Sequence, residues 1–418
     1  MAAEKIPERY LILVDPEKNN NKFYKMIDAG NGEWIAQYGR VGNGRAQQRK
    51  YPNRVYNTKL QEKLAKGYKD VSDLHAVSTA PQPEVSFTDI TDEKVAAFIN
   101  RLMAFAKRTI KSNYTVNAND VTQKMVDEAR SLIQNLRNIA NSNMSETTIV
   151  RVFNDVLKEL MHVIPRRIAG QGAEGVKRMM AACKADCVII ILREEELLDI
   201  MEGQVKIQER KLEYVGSSQT LLEAMGIQMY TATDSQVEEV KRHLSPSLRS
   251  QLKAVYRVIN TKTQERFDAY LKENTDSNGV PKVKMLWHGS RNENWVSILQ
   301  KGLLLKPDAV ITGKMFGNGI YFAPSARKSW GYTSAGKWTG DHSDTAIMSL
   351  YATAYGVPHE VYSHDSRWHG YNFDRLQSDY PNCSCVHAKA EKGMLLDDEI
   401  IFYREDQMTI SYICEFDV

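Results

Sequence analysis

Trp287-His288-Gly289-Ser290, then Gly319-Ile320-Tyr321-Phe322-Ala323, then Asp397-Asp398-Glu399-Ile400-Ile401-Phe402-Tyr403: these stretches, in this order, decide how the C-terminal half of the chain is read. Taken singly, each has an ordinary reading. A histidine in an apolar strand is usually a satisfied core histidine, and Gly-Ile-Tyr-Phe-Ala reads as a buried strand. Glu399 beside two aspartates reads as a solvated acidic turn. Between the second and third stretches stands Lys328-Ser329-Trp330-Gly331-Tyr332. Together they offer an imidazole, phenol rings and carboxylates among short β-rich runs separated by Gly, Pro, Asn and Asp.

With 418 residues the chain exceeds what one hydrophobic core serves, so two or three domains are expected. Hydrophobic residues at 42% and charged residues at 26% suit a globular protein. No apolar stretch reaches the roughly 20 residues a membrane helix needs. Met1 to Arg9 is charged and lacks an apolar signal core, which predicts an intracellular chain. Cys183, Cys187, Cys383, Cys385 and Cys414 form no disulfide framework. The net charge of +3 hides an asymmetry, because residues 1–80 hold 14 Lys and Arg against 9 Asp and Glu. A basic module on a near-neutral body suggests a polyanion partner, nucleic acid first, and a solvated basic face is the plain alternative.

Residues from about 5 to 75 read as β-rich with one late helix. Tyr10 to Val14 and Lys22 to Ile27 are strands, and Asp28 to Gly32 is a turn rich in residues that accept positive φ. Glu33-Trp34-Ile35-Ala36-Gln37-Tyr38-Gly39-Arg40-Val41-Gly42 follows, then helical spacing from Tyr56 to Lys66. Arg40 between glycines puts a guanidinium on a backbone able to approach a phosphate. Trp34 or Tyr38 offers a ring for an exposed sugar or base; alternation also reads them as core residues of a strand.

Ala76 to Pro83 is linker-like. Beyond it the period turns helical. Thr91-Asp92-Glu93-Lys94 offers a helix start, and Val95, Phe98, Ile99, Leu102 and Phe105 recur at 3/4 spacing. Val121–Ile139 and Thr147–Ile164 repeat the pattern, Gly170 to Gly175 breaks it, and helices resume through Met201. From Val205 the pattern is mixed, with a short helix over 237–244 that Pro246 is expected to end.

The order of His288, Tyr321 and Glu399 resembles the His-Tyr-Glu motif of the poly(ADP-ribose) polymerase family. The stretch around Gly39-Arg40-Val41-Gly42 resembles a WGR domain, with Tyr38 where the name-giving Trp usually stands. The helical segment is similar to the regulatory domain that precedes the catalytic domain in DNA-dependent members. The resemblance implies a multidomain α+β chain: a small β-rich WGR domain over 1–76, a linker over 77–84, an all-α helical bundle over 85–205, and a mixed α/β ADP-ribosyltransferase domain built on antiparallel sheets over 206–418.

It further implies an NAD+ ADP-ribosyltransferase activated by DNA strand breaks, such as 5′-phosphorylated nicks or ends, with NAD+ as substrate and no metal. His288 is expected to bond the adenosine ribose, Gly289 and Ser329 the nicotinamide amide, and Tyr321 and Tyr332 to sandwich the nicotinamide ring. Glu399 is expected on the nicotinamide-ribose 2′-OH. Ser290, Asn294 and Lys328 belong to the implied substrate-binding set, Met315 to the acceptor side, and Trp34, Tyr38 and Arg40 to DNA. Acceptors are proteins, itself included, in a nucleus or in a bacterial or viral cytoplasm. The chain departs from the family pattern at Leu304, Lys314 and Trp330-Gly331. A mono-ADP-ribosyltransferase of the same fold, or a DNA-break-binding scaffold with an inactive pocket, are the alternative readings. A P-loop and a Rossmann fingerprint are absent, and Cys383-x-Cys385 with His364, His369 and His387 is a poor zinc spacing.

Overall fold

The computed structural model describes residues 5–16, 18, 20–41, 45–74, 87–167, 179–213, 219–275, 279–305, 315–339, 343–391 and 395–418. The expected linker over 77–84, the glycine-rich break over 170–175, Gly42 and Lys314 lie outside them. Two compact units emerge, Met1–Glu84 with Lys107–Gln208, and Val85–Ala106 with Glu209–Val418. No described helix is long and apolar enough to cross a membrane.

The first unit starts with an antiparallel sheet of β1 (Arg9–Asp15), β2 (Asn20–Gly30), β3 (Glu33–Arg40), β4 (Gln47–Pro52) and β5 (Lys69–Asp70), ordered β4-β3-β2-β1-β5. Gly30, Asn31 and Gly32 take φ of 72°, 53° and 77° in the β2–β3 turn, as the sequence predicts. Period-two alternation sends Trp34 and Ala36 into a core with Leu11, Tyr24, Met26, Tyr56 and Tyr68. Helix α1 (Tyr56–Ala65) covers this face and ends before Gly67, whose φ is +87°. The unit also holds α3 (Gln123–Ala140) and α4 (Glu146–Val163), capped by Thr122 and Ser145, and most of α5 (Lys184–Glu213). One face of α5 is acidic and is met by arginines: Arg166 pairs with Glu194 at 2.6 Å, Arg137 with Glu195, and Arg130 with Asp199 and Glu202. The mixed character expected from Val205 begins later, after Glu213, because Lys206, Gln208, Glu209 and Arg210 are good helix formers and extend α5.

Helix α2 (Glu93–Asn113) contributes its first turns to the second unit. Asp92 caps it, accepting from the Lys94 and Val95 N–H groups, and binds the Thr231 N–H at 2.9 Å. Phe98 stacks on Tyr256 and Arg101 reaches the buried Glu415 carboxylate at 2.6 Å. Helix α6 (Asp234–Arg242) stops on its own, and Pro246 opens α7 (Pro246–Gln251) at its first turn behind the Ser245 cap. The proline therefore starts a helix rather than ending one, since its missing N–H costs nothing there.

Two sheets carry the rest. One joins β6 (Ile227–Thr231), β7 (Leu252–Asn260), β8 (Val283–Gly289), β10 (Thr345–Ala354) and β14 (Met408–Asp417), ordered β6-β7-β14-β10-β8 and antiparallel throughout. The other joins β9 (Ile320–Phe322), β11 (Pro358–Val361), β12 (Cys385–Ala388) and β13 (Glu399–Phe402), ordered β11-β12-β13-β9, with only β11–β12 parallel. A two-way backbone bridge between Trp287 and Ala323 joins the sheets.

Candidate active site

That bridge brings the quoted stretches together. With Trp287 paired to Ala323, His288 falls beside the end of β9, and its Nδ1–H donates to the Tyr321 carbonyl at 3.0 Å. A neutral ring so held keeps Nε2 as the acceptor nitrogen. Strand β9 then pairs with β13, Tyr321 opposite Ile401 and Phe322 opposite Ile400, which sets Glu399 at the head of the adjacent strand. Local pairing thus assembles residues far apart in sequence.

Each side chain is anchored. The Tyr321 hydroxyl donates to the Gly317 carbonyl at 3.0 Å and accepts from the Phe316 N–H at 2.9 Å. Burial, and then the nearby Glu399 and Tyr332, push its phenol above the ordinary range, with the Phe316 bond opposing. Tyr332, 44% exposed, has its phenol pushed up to about 12 by burial and then by Glu399. Glu399 is 6% exposed, and its Oε1 pairs with Lys328 Nζ at 2.7 Å. Lys328 lies on α8 (Ala326–Trp330), one residue before the buried Ser329.

Gly289 faces the backbone of α8. A Cβ there would stand 2.0 Å from the Ser329 carbonyl oxygen, so the glycine lets strand and helix close on each other. The Ser329 hydroxyl donates to the Trp287 carbonyl at 3.0 Å. Ser290 Oγ accepts from Asn294 Nδ2 at 3.0 Å, and the Met315 carbonyl accepts from His364 Nε2 at 2.8 Å. These partners tie Asn294 and Met315 to the framework beside the implied binding set.

Trp34 requires a correction. Its side chain is fully buried, stacked on Tyr51 at 4.9 Å and edge-on to Tyr56 at 5.6 Å, so its ring is closed to nucleic acid. Tyr38 is partly exposed and lies 5.8 Å from Tyr24, and Arg40 is exposed at the end of β3.

Two features escape sequence reading. The exposed Trp338 indole lies 4.8 Å from the Tyr332 ring, with Lys328 Nζ 5.3 Å away. Gly331 makes room for it, since a Cβ there would stand 2.0 Å from the indole. The glycine at 331, a departure from the family pattern, was the available signal. The second feature is a chain of hydrogen bonds from the buried Tyr355 and His387 to the partly exposed Asp398. Among the described residues no His, Cys, Asp and Glu group is grouped to hold a metal ion.

Residues 234–418 match the model of the poly(ADP-ribose) polymerase catalytic domain, and residues 8–74 match that of the WGR domain. The chain is 32% identical over 164 residues to the putative poly [ADP-ribose] polymerase-like 100L of Invertebrate iridescent virus 6, covering 38% of this chain and 82% of that protein. It is 30% identical over 196 residues to the uncharacterized protein 101L of the same virus, 47% of this chain and 76% of that one. With poly [ADP-ribose] polymerase 2 of Arabidopsis thaliana it shares 32% identity over 157 residues, 31% of this chain and 23% of the plant protein.

Proposed function

The chain belongs to the poly(ADP-ribose) polymerase family and is an NAD+ ADP-ribosyltransferase; from that premise we propose that it is switched on by DNA breaks and builds ADP-ribose chains on protein acceptors, itself included, using His288, Tyr321 and Glu399. The observation that carries the site assignment is the continuity of pairing from β8 through the Trp287–Ala323 bridge to β9 and β13, which converges on these three residues.

In the reaction the C–N bond between ribose and nicotinamide breaks, and nicotinamide leaves with the bonding electron pair. His288 Nε2 accepts from an adenosine-ribose hydroxyl, while Gly289 and Ser329 hold the carboxamide. To donate to the amide oxygen, the Ser329 hydroxyl turns away from the Trp287 carbonyl that it binds here. Tyr321 and Tyr332 clasp the nicotinamide ring, a contact that orients the leaving group. The Glu399 carboxylate accepts from the ribose 2′-OH and stabilises positive charge developing at C1′. An acceptor oxygen then bonds C1′ and releases its proton. Lys328 neutralises Glu399 until substrate arrives and, with Met315, borders the acceptor.

For the DNA switch, the WGR match, the basic excess of residues 1–80 and the exposed Arg40 support contact with a phosphorylated break. The work site is intracellular, a nucleus in a eukaryote or a bacterial or viral cytoplasm. Incubation with labelled NAD+ and a 5′-phosphorylated nicked duplex, followed by a denaturing gel, tests this reading. A duplex-dependent smear of modified chain is expected. A sharp small shift would mean single transfers, and labelling indifferent to the duplex would remove the switch.

A further inference from the structure

Asp398, the residue before Glu399, is held from several directions. Its Oδ1 accepts the Ala390 N–H at 2.8 Å, while its Oδ2 accepts from Lys389 Nζ at 2.9 Å and from His387 Nε2 at 2.7 Å. The other imidazole nitrogen of His387 meets the Tyr355 hydroxyl at 2.7 Å. Tyr355 follows β10, its backbone carbonyl takes the Cys385 thiol, and Lys284 Nζ rests 3.4 Å from its ring centre. His387 and Tyr355 are 6% and 5% exposed, and both imidazole nitrogens and the phenol hydrogen are engaged within the chain of hydrogen bonds, so neither is assigned a substrate contact.

The protons fall into one consistent pattern. Burial alone would raise the Asp398 carboxyl, but the bonds from Ala390, Lys389 and His387 outweigh it and hold it below the usual range. Burial lowers His387, with the Asp398 bond opposing. A neutral imidazole therefore donates Nε2–H to an ionised Asp398 and accepts the Tyr355 O–H at Nδ1. The chain from phenol to carboxylate leaves no member without a partner.

Its place in the fold gives it a consequence. Strand β12 pairs with β13, with Ala388 opposite Glu399 and His387 opposite Ile400. Adjacent side chains point to opposite sides of extended backbone. Glu399 accordingly turns to Lys328 while Asp398 turns to His387. The backbone segment between the two carboxylates is fixed by one pairing on each side, two residues after Leu396, which is 80% exposed.

We propose that His387 and Tyr355 are positioning residues of the transfer reaction, acting through Asp398 to hold the Glu399 carboxylate where the ribose 2′-OH arrives. This rests on the reading of Glu399 as the carboxylate that stabilises the transition state. A displacement of about 1 Å costs up to about 10²-fold in rate, whereas nicotinamide contacts made by Gly289, Ser329 and Tyr332 do not depend on the Asp398 clamp.

The test uses the full chain with saturating 5′-phosphorylated nicked duplex and initial rates of nicotinamide release from NAD+, at a temperature where melting curves show each variant folded. His387→Ala is expected to lower kcat at least about 10-fold, with KM for NAD+ and nicotinamide binding within about twofold of the parent. His387→Gln, which keeps a donor toward Asp398 and an acceptor toward Tyr355, should recover most of that loss. Glu399→Gln runs alongside. If Glu399→Gln is inactive yet His387→Ala keeps its kcat within about twofold, the positioning role is overturned alone. It is overturned equally if nicotinamide binding falls in step with kcat, or if His387→Gln is as slow as His387→Ala. An active Glu399→Gln overturns the reading of the site beneath it.

Discussion

The ammonium of Lys328 stands 2.7 Å from the carboxylate of Glu399, and their side chains are only 12% and 8% exposed. The carboxylate assigned to the transition state is thus held by a neighbour on the same side of the pocket as Ser329 and Tyr332. A buried pair of this kind is costly to break from one side, because the remaining charge is stranded.

Lys328→Met is therefore expected to destabilise the catalytic unit by about 3 kcal/mol. The double variant Lys328→Met with Glu399→Gln should lose clearly less than the sum of the two singles. Denaturant unfolding of the four proteins measures the coupling; strict additivity would mean that the pair does not interact in solution.

Gly289 is a point of close backbone approach between β8 and α8. Gly289→Ala should cost about 1–3 kcal/mol, since the clash is with the Ser329 backbone rather than a movable side chain. It should also weaken nicotinamide binding in a thermal-shift titration by ~10-fold or more. Gly370→Ala, with nothing within 4 Å of the added carbon, is the control and should stay within about 0.5 kcal/mol.

Trp338 lies beside Tyr332, the ring proposed to clasp nicotinamide. Trp34, Trp287, Trp295 and Trp368 are fully buried, Trp330 is partly buried against Phe416, and Trp338 is 47% exposed. Acrylamide should quench mainly this indole, and nicotinamide should protect it by filling the space beside Tyr332. Trp338→Phe is expected to remove most of the quenchable emission, leaving a minor part from Trp330, and to abolish the nicotinamide response; a response that survives would place the nicotinamide away from Tyr332.

The sequence periodicities predict the strands of residues 5–75 and the helices that follow, because alternation and 3/4 spacing reflect burial directly, whereas around the site they give only short β-rich runs and miss the helix Ala326–Trp330. The turn at Gly30 to Gly32, the helix start at Asp92 and the stop at Gly67 follow from backbone chemistry, whereas the Ser245 cap before Pro246 escapes the sequence reading. The family motif identifies His288, Tyr321 and Glu399, but spacing alone does not bring them together. That depends on the Trp287–Ala323 bridge, a backbone pairing with no side-chain signature. Likewise nothing in Lys328 or Glu399 announces their pairing, and His387 and Asp398 look like separate features of a polar loop. Trp34 shows the opposite case, where period two with Ala36 points inward and an aromatic suited to stacking belongs to the core.

His162 links pH to the first unit. Its Nε2 accepts the Val14 N–H at 3.2 Å and its Nδ1–H donates to the Lys158 carbonyl at 2.7 Å, an arrangement open only to the neutral ring. Burial lowers its pKa, with the Lys158 bond opposing. Because the folded value lies below the unfolded one, of about 6.5, the unfolded state binds the extra proton first. Stability from this group is then complete above the unfolded value and declines as pH falls towards the folded one. Melting followed between about pH 5 and pH 8 should show this decline, and His162→Gln should flatten it. A parent whose melting temperature rises on acidification would contradict the prediction.

The most direct test of the account is nicotinamide release from NAD+ by the parent chain and by Glu399→Gln, each with saturating 5′-phosphorylated nicked duplex. The parent should release nicotinamide, and Glu399→Gln should be slower by about 10²–10³ while still binding nicotinamide. Equal rates in the two proteins would contradict the assignment of Glu399 and the catalytic site built around it.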